Sequence, residues 1–509
     1  MTIDFTPLSR PIFRVRSGKV RKAAADPTAA QKAVLQSLIK RAAATEFGRK
    51  NNFAAMLRAG DISSVYSEAV PTVQYEDIRE DVMRMVEGEP DVLWRGVCRD
   101  FAQSSGTSGG RSKYIPVTPD SLHGNHYKGA ACPVAFYLDN VKESRIFSGK
   151  GFILGGSFAS QLRPKDAGVR IGDLSATLIN RINPLANIFR IPDKQTALMP
   201  DWETKLPALI KASAYSDVTN ISGVPSWFLT VIKGVLEERG ASSLEEVWPN
   251  LEVFFHGGIS FEPYREEYRR LCGGLNTRFV ETYNASEGFF AAQDDLSGSG
   301  MMLILDADIY YEFIPLGGQT ALPVWELEQG KVYEMIISAS NGLWRYRLGD
   351  TVAVESVNPV RIRVAGRTRC FITAFGEELM EDNAEKAMAE AARAMGASIL
   401  NYTAAPVFAS DNHRGRHQWL VEWETEPSDL DEFALCLDRE LRKLNSDYDA
   451  KRSHTIFLDP PEIVTAVPGL FNRWLSSAGT HKLGGQRKVP RLSNNREMME
   501  LLLEMNRKS

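Results

Sequence analysis

The chain has 509 residues, 43% hydrophobic and 24% charged, enough apolar content to bury sizeable cores without disulfides or structural metals. A formal net charge of -4 with both signs interspersed gives no reason to expect a nucleic acid or a membrane as partner, and favours small-molecule ligands. Five scattered cysteines without a Cys-x-x-Cys pair, no run long enough to span a bilayer and no secretory block at the N-terminus predict a cytoplasmic protein.

The basic residues from Arg10 to Lys22 read as a solvated N-terminal arm. Asp26 and Pro27 then supply an N-cap and an N1 proline for an amphipathic helix carrying Val34, Leu35, Leu38 and Ile39, predicted to end near Gly48. "GFILGGSFAS" has the pattern of a buried strand followed by a turn, and "VPSWFLTVIKGVLEERG" that of a helix closed by Gly240. Strand and helix alternate through this part, which favours an α/β architecture. From about Met301 to Val364, short β-rich runs are punctuated by Gly-Gly, Asn-Gly and Asn-Pro, so mostly sheet is expected. After Gly376 the pattern restarts with a helix around Ala384 to Met395. "HQWLVEWE" follows, a strand with Trp419, Val421 and Trp423 on one face, and then a helix with a stripe from Leu430 to Leu444. The fold class is therefore α/β. A large N-terminal α/β domain with a β-rich subdomain is expected over residues 1–367, and a small, mobile α+β domain over 368–509.

Chemistry concentrates in "QSSGTSGGRSKYIPVT", Gln103 to Thr118. A Walker phosphate loop needs Gly and Lys adjacent, and here they are not. Gly106 to Gly110 formally matches the Gly-x-Ser-x-Gly elbow of serine hydrolases, with Ser108 as nucleophile. That elbow must run straight into a helix, whereas "KYIPVT" favours extended chain. What remains is a glycine-permitted loop of backbone N–H groups, hydroxyls and cations, suited to following a polyphosphate; a polar surface hairpin is the plain alternative.

Two further segments, "ETYNASEG" and "LWRYRLGD", set ligand-type residues among apolar neighbours. Glu287 is a candidate for a divalent cation shared with phosphate oxygens. Tyr283 offers a flat face for a nucleobase. Asp350, after Gly349, is placed to accept ribose hydroxyls, although Gly-Asp is also ordinary turn chemistry. His123, His126 and His256 form no metal-binding pattern.

In order and spacing, these pieces resemble the adenylate-forming superfamily of acyl-CoA synthetases, peptide-synthetase adenylation domains and luciferases. More narrowly, "SSGTSGGRSKYIP", "YNASEGFF" and "LWRYRLGD" resemble the signatures of the auxin-responsive acyl-acid amido synthetases, the Gretchen Hagen family. "PTVQYEDIR", "FFHGG", "GVPSW" and "GGQRKVPRL" extend the likeness over nearly the whole chain. The resemblance implies an ATP-dependent, AMP-forming ligase. A carboxylic acid is adenylated with release of pyrophosphate, and an amino acid's amine then takes the acyl group; a thioester-forming ligase is the alternative. It implies ATP contacts from Ser104, Ser105, Gly106, Thr107, Ser108, Lys113, Gly257, Gly258, Tyr283, Ser286, Asp350 and Arg367, and Mg2+ held by Glu287. It also implies a catalytic lysine on the C-terminal domain, where Lys488 fits the Gln-x-Lys-x-Pro-Arg pattern better than Lys482.

Overall fold

A computed structural model describes residues 3–104, 113–160, 162, 164, 168–258, 261–298, 300–367, 371–372, 379–407, 415–445, 448–449, 452, 458–477, 489–493 and 496–508. The chain divides into two compact units. The larger takes in the sequence up to Gly258 and Cys272–Arg363, and the smaller takes in 259–271 with most of the chain beyond Val364.

The larger unit is built on a twelve-stranded sheet. Its first half comprises β3 (Lys150–Ile153), β5 (Arg190–Ile191), β6 (Val218–Gly223), β7 (Val253–Gly257) and β8 (Arg278–Ala285), side by side in the order β5-β3-β6-β7-β8 and all parallel. From β8 the sheet continues through β9 (Gly288–Ala292), β10 (Met301–Leu303), β15 (Val360–Arg367), β14 (Tyr346–Val357), β13 (Val332–Ala339), β11 (Ile309–Pro315) and β12 (Leu322–Pro323). β8 and β9 pair antiparallel, and the strands from β10 onward form the β-rich region expected from about Met301. A separate small sheet holds β1 (Asp100–Ser104) between antiparallel β2 (Lys113–Pro116) and parallel β4 (Arg170–Gly172).

Two expectations near the N-terminus fail. The run from Arg10 to Lys22 is not a solvated arm but part of a helix, α1 (Thr6–Ala25), which buries Val20 and Ala24 against Cys132, Phe136 and Met302. Its cations do specific work. The Arg10 guanidinium donates to the carbonyls of Leu138, Val141 and Lys142, and Arg16 binds Asp306 through two hydrogen bonds of 2.6 and 2.8 Å. These tertiary contacts override a sequence with Pro11 and Gly18 in the helix. The next helix, α2 (Pro27–Ala42), starts as predicted, with Asp26 accepting from the Ala29 N–H at 3.0 Å, but stops at Ala42 instead of near Gly48. Thr45 ends it: its hydroxyl donates to the Ala42 carbonyl and accepts from Gly48 N–H, capping a new short helix. Buried Gln31 ties α2 to the sheet by donating to the Leu305 and Ile309 carbonyls and accepting from Tyr311 N–H.

The smaller unit is α+β. Its sheet joins β16 (Ser398–Val407) and β17 (Arg416–Thr425) antiparallel, with β18 (Glu462–Thr465) parallel to β17. Alternation works as expected: Trp419 and Val421 face the helices Glu381–Met395 and Leu430–Leu444, while Leu420 faces a second cluster with Phe471, Met499 and Leu502. The segment Phe261–Leu271 packs here too. Tyr264 donates to the Leu400 carbonyl, and Arg491 donates to Tyr264 while lying 4.5 Å over the Tyr402 ring.

Candidate active site

The parallel half of the sheet delivers its strand ends to one edge, where open α/β sheets place their ligands. Gly257 ends β7 there, paired with Thr282 of β8. A Cβ on Gly257 would sit 2.4 Å from the Thr282 carbonyl oxygen, so only glycine fits. Gly258 continues with φ +87°, a left-handed conformation that other residues adopt only under strain. One strand over, Tyr283 is buried and packs its ring 4.9 Å from Phe290. Its hydroxyl donates to Asp350 Oδ2 at 2.7 Å, and Asp350 is buried as well, on β14. Tyr283 and Asp350, 67 residues apart and singled out separately, thus form one unit.

At the β8–β9 turn, Ser286 and Glu287 are both buried. The Glu287 carbonyl accepts from the amide of Asn341 at 3.0 Å, and Asn341 in turn accepts from Leu343 N–H. This asparagine escaped the sequence reading because Asn-Gly signals a turn; its amide instead reaches across to fix the backbone beside the acidic candidate.

The glycine-rich segment lies between β1 and β2 in the sequence, and Ser104 pairs with Lys113 where those strands flank it. The chain after it is extended, as the sequence predicts, which withholds the helix that a serine nucleophile elbow needs. The Lys113 ammonium lies 5.8 Å from the centroid of the Tyr75 ring and donates to the Tyr346 hydroxyl at 3.4 Å. Tyr75 also accepts from Tyr114 N–H at 2.8 Å. The segment before it is stitched to the third motif: Val73 N–H donates to the Arg345 carbonyl, and Arg347 N–H to the Val73 carbonyl. "PTVQYEDIR" therefore belongs to the site's frame. Tyr75 and Tyr346 were missed because an aromatic side chain in sequence looks like core.

Within "LWRYRLGD", Arg345 is a brace rather than a ligand candidate. It is buried with φ +43°, binds Glu312 through two 2.9 Å hydrogen bonds, and donates to the carbonyls of Ser67 and Val70 at 2.6 Å. Burial holds the Glu312 carboxyl above the usual carboxylate range, although Arg345 pulls it down. Among the histidines, His126 is buried and its pKa is lowered to about 4 by desolvation. His256 is buried against Phe254, in keeping with a core role.

Ser105, Gly106, Thr107, Ser108, Lys482 and Lys488 lie outside the described residues, and Ser104 and Arg367 are described as strand backbone only. The chain just after Lys488 is fixed in the smaller unit: Thr403 donates to the Pro490 carbonyl, and Ala404 N–H to the Arg491 carbonyl. Arg491 is held by Asn401 and the Tyr402 carbonyl.

No group of three or more His, Cys, Asp or Glu side chains among the described residues could by itself hold a metal. One buried carboxylate, Glu287, fits a magnesium ion that takes its other ligands from phosphates and water better than it fits an all-protein cage.

The chain is similar to several known proteins. The indole-3-acetic acid-amido synthetase GH3.4 of Arabidopsis thaliana is 24% identical over 557 residues, covering 94% of this chain and 91% of the relative. The solved GH3.15 acyl acid amido synthetase matches with a TM-score of 0.79 at 19% identity, over 97% of this chain and 96% of its own. A 2-hydroxyisobutyryl-CoA ligase, solved in the postadenylation state with 2-HIB-AMP, matches with a TM-score of 0.59 at 13% identity, over 94% of this chain and 91% of its own. Both structural likenesses bear out the α/β fold. Models of the GH3 family N-terminal domain (residues 16–277), central domain (302–367) and C-terminal domain (382–497) match in succession, and the chain belongs to the GH3 family.

Proposed function

We propose that this chain is an ATP-dependent acyl-acid amido synthetase, which adenylates a small carboxylic acid and then transfers the acyl group to the amine of an amino acid. The observation that carries the reading is the 2.7 Å bond between Tyr283 and Asp350, which joins two of the three motifs. Both substrates are small molecules. ATP is the second substrate of the first step, and a cytoplasmic location suits its supply.

A carboxylate is a poor electrophile, so the reaction needs its oxygen aligned on the α-phosphorus with charge on the departing pyrophosphate balanced. In this reading Tyr283 lies against the adenine, and Gly257 and Gly258 let the backbone approach it closely. Asp350, held by the Tyr283 hydroxyl, accepts from the ribose, with Arg367 at the same sugar. Ser104, Ser105, Gly106, Thr107 and Ser108 follow the phosphates, Ser286 adds a hydroxyl beside them, and Lys113 supports them from its aromatic seat. Glu287 would hold magnesium, which supplies charge neutralisation at the phosphates when bound. Lys488, on a C-terminal lid of residues 368–509, places a cation at the α-phosphate during adenylation. In the second step the amine attacks the acyl carbon, an acyl–oxygen bond breaks, and AMP leaves with the electron pair.

The test measures pyrophosphate release over a panel of carboxylic acids, then the acceptor that drives turnover. Acid-dependent pyrophosphate followed by an amide with an amino acid supports the reading. Turnover with coenzyme A instead would move the protein to the thioester ligases, and ester cleavage without ATP would move it to the hydrolases.

A further inference from the structure

The outward face of α1 carries large apolar side chains in solvent. Leu8 is 73% exposed, Ile12 71% and Val15 60%, at spacings of four and three that set them in one stripe. The same line continues into exposed Lys19 and Lys22, with exposed Arg14 beside it. Phe5, just before the helix, packs edge-on 5.2 Å from Phe189, which brings the 3-10 helix Pro184–Phe189 alongside. That adds Leu185 and Ile188, 68% and 58% exposed, and Ile3, 69% exposed, lies at the same end of the chain. Elsewhere among the described residues, only Tyr215, Leu435 and Leu501 are large apolar side chains more than half exposed. The apolar exposure is therefore gathered at one place.

Charge selects the occupant. The helix holds six basic residues, Arg10, Arg14, Arg16, Lys19, Arg21 and Lys22, and no acidic one. Arg10 and Arg16 are turned inward onto carbonyls and Asp306, and Arg21 lies 3.8 Å from both Asp139 and Asp294, whereas Arg14, Lys19 and Lys22 stay exposed with no acidic partner among the described residues. Pairing this face with a second copy would leave the cations unanswered by any acidic residue of the facing helix. An anionic bilayer answers both features at once, because apolar side chains enter the acyl boundary while lysine stems reach back to phosphates. The whole-chain charge of -4 hides this, since it averages a local cationic strip with acidic surface elsewhere.

We propose that α1 and the adjoining 3-10 helix form a face that rests on an anionic lipid surface, with Leu8, Ile12 and Val15 inserted and Arg14, Lys19 and Lys22 at the headgroups. The test sediments the full-length protein with vesicles of phosphatidylcholine, and with an equal mixture of phosphatidylcholine and phosphatidylglycerol. The wild type should pellet with the mixture and not with phosphatidylcholine alone. Lys19→Ala with Lys22→Ala should weaken partition about thirtyfold, and Leu8→Asn with Ile12→Asn and Val15→Asn should abolish it. Both variants should keep the wild-type unfolding midpoint, and the lysine variant tests the idea even if the triple variant folds poorly. No partition of the wild type, equal partition into both vesicles, or an unaffected lysine variant overturns the proposal. So does a wild-type dimer in sedimentation velocity that the triple variant dissociates, which would assign the face to a second copy.

Discussion

Replacing Tyr283 with Phe keeps the ring and its packing on Phe290 but deletes the hydroxyl that donates to Asp350 at 2.7 Å. Tyr283 is 6% exposed and Asp350 7%, so little water is at hand to replace the lost donor. A hydrogen bond to a charged group is worth about 1.5–3 kcal/mol. At about 1.4 kcal/mol per factor of ten, kcat/KM for ATP should fall roughly 10- to 150-fold. The loss should appear against ATP and leave the KM for the acid nearly unchanged, because in the proposed reaction the hydroxyl acts through the carboxylate assigned to the ribose. Pyrophosphate release, followed at varied ATP and saturating acid, reads this directly. The companion measurement is a cycle with Asp350→Ala: with the carboxylate gone, Tyr283→Phe should change kcat/KM for ATP by less than about threefold. If Tyr283→Phe alone stays within threefold of wild type, or loses as much in the Asp350→Ala background, the two residues do not act as one nucleotide-binding unit.

Lys488→Ala should slow adenylation at least about a hundredfold, as removal of a single charge-stabilising donor does, while Lys482→Ala stays near wild type; equal rates in single-turnover assays would refute the assignment. Arg345→Ala should destabilise the larger unit by about 3–5 kcal/mol, because it strands the buried Glu312 carboxylate, and Arg345→Met with Glu312→Leu should recover much of that in urea unfolding. His126 has a pKa lowered to about 4 against an ordinary 6.5, so the unfolded chain binds more protons between these values and acid favours unfolding. From neutral pH down to pH 5 this residue alone should remove about 2 kcal/mol of stability, and His126→Asn should flatten that part of the unfolding profile.

What the sequence made legible follows a physical division. Elements set by local rules came through: the strand before the glycine-rich turn, the helix closed by Gly240, and the Trp419/Val421 face. Tyr283, Glu287 and Asp350 were visible because polar or aromatic groups at fixed offsets from glycine and apolar runs are unusual. Features that depend on distant chain were not. Nothing near Asn341 announces that its amide meets Glu287, and nothing near Tyr75 announces that it seats Lys113. The helix α1 was hidden for the same reason, since Arg10 and Arg16 find their acceptors more than a hundred residues away.

The membership of Phe261–Leu271 in the smaller unit bears on how this gene can be dissected. A fragment ending near residue 367 would retain that stretch while losing Leu400 and Arg491, the groups that engage Tyr264. Conversely, a fragment beginning there would fold with a gap where Tyr264 belongs. Half-protein expression, split-reporter fusions and module grafting between relatives therefore call for two exchanged pieces, one short and one long, rather than a single cut.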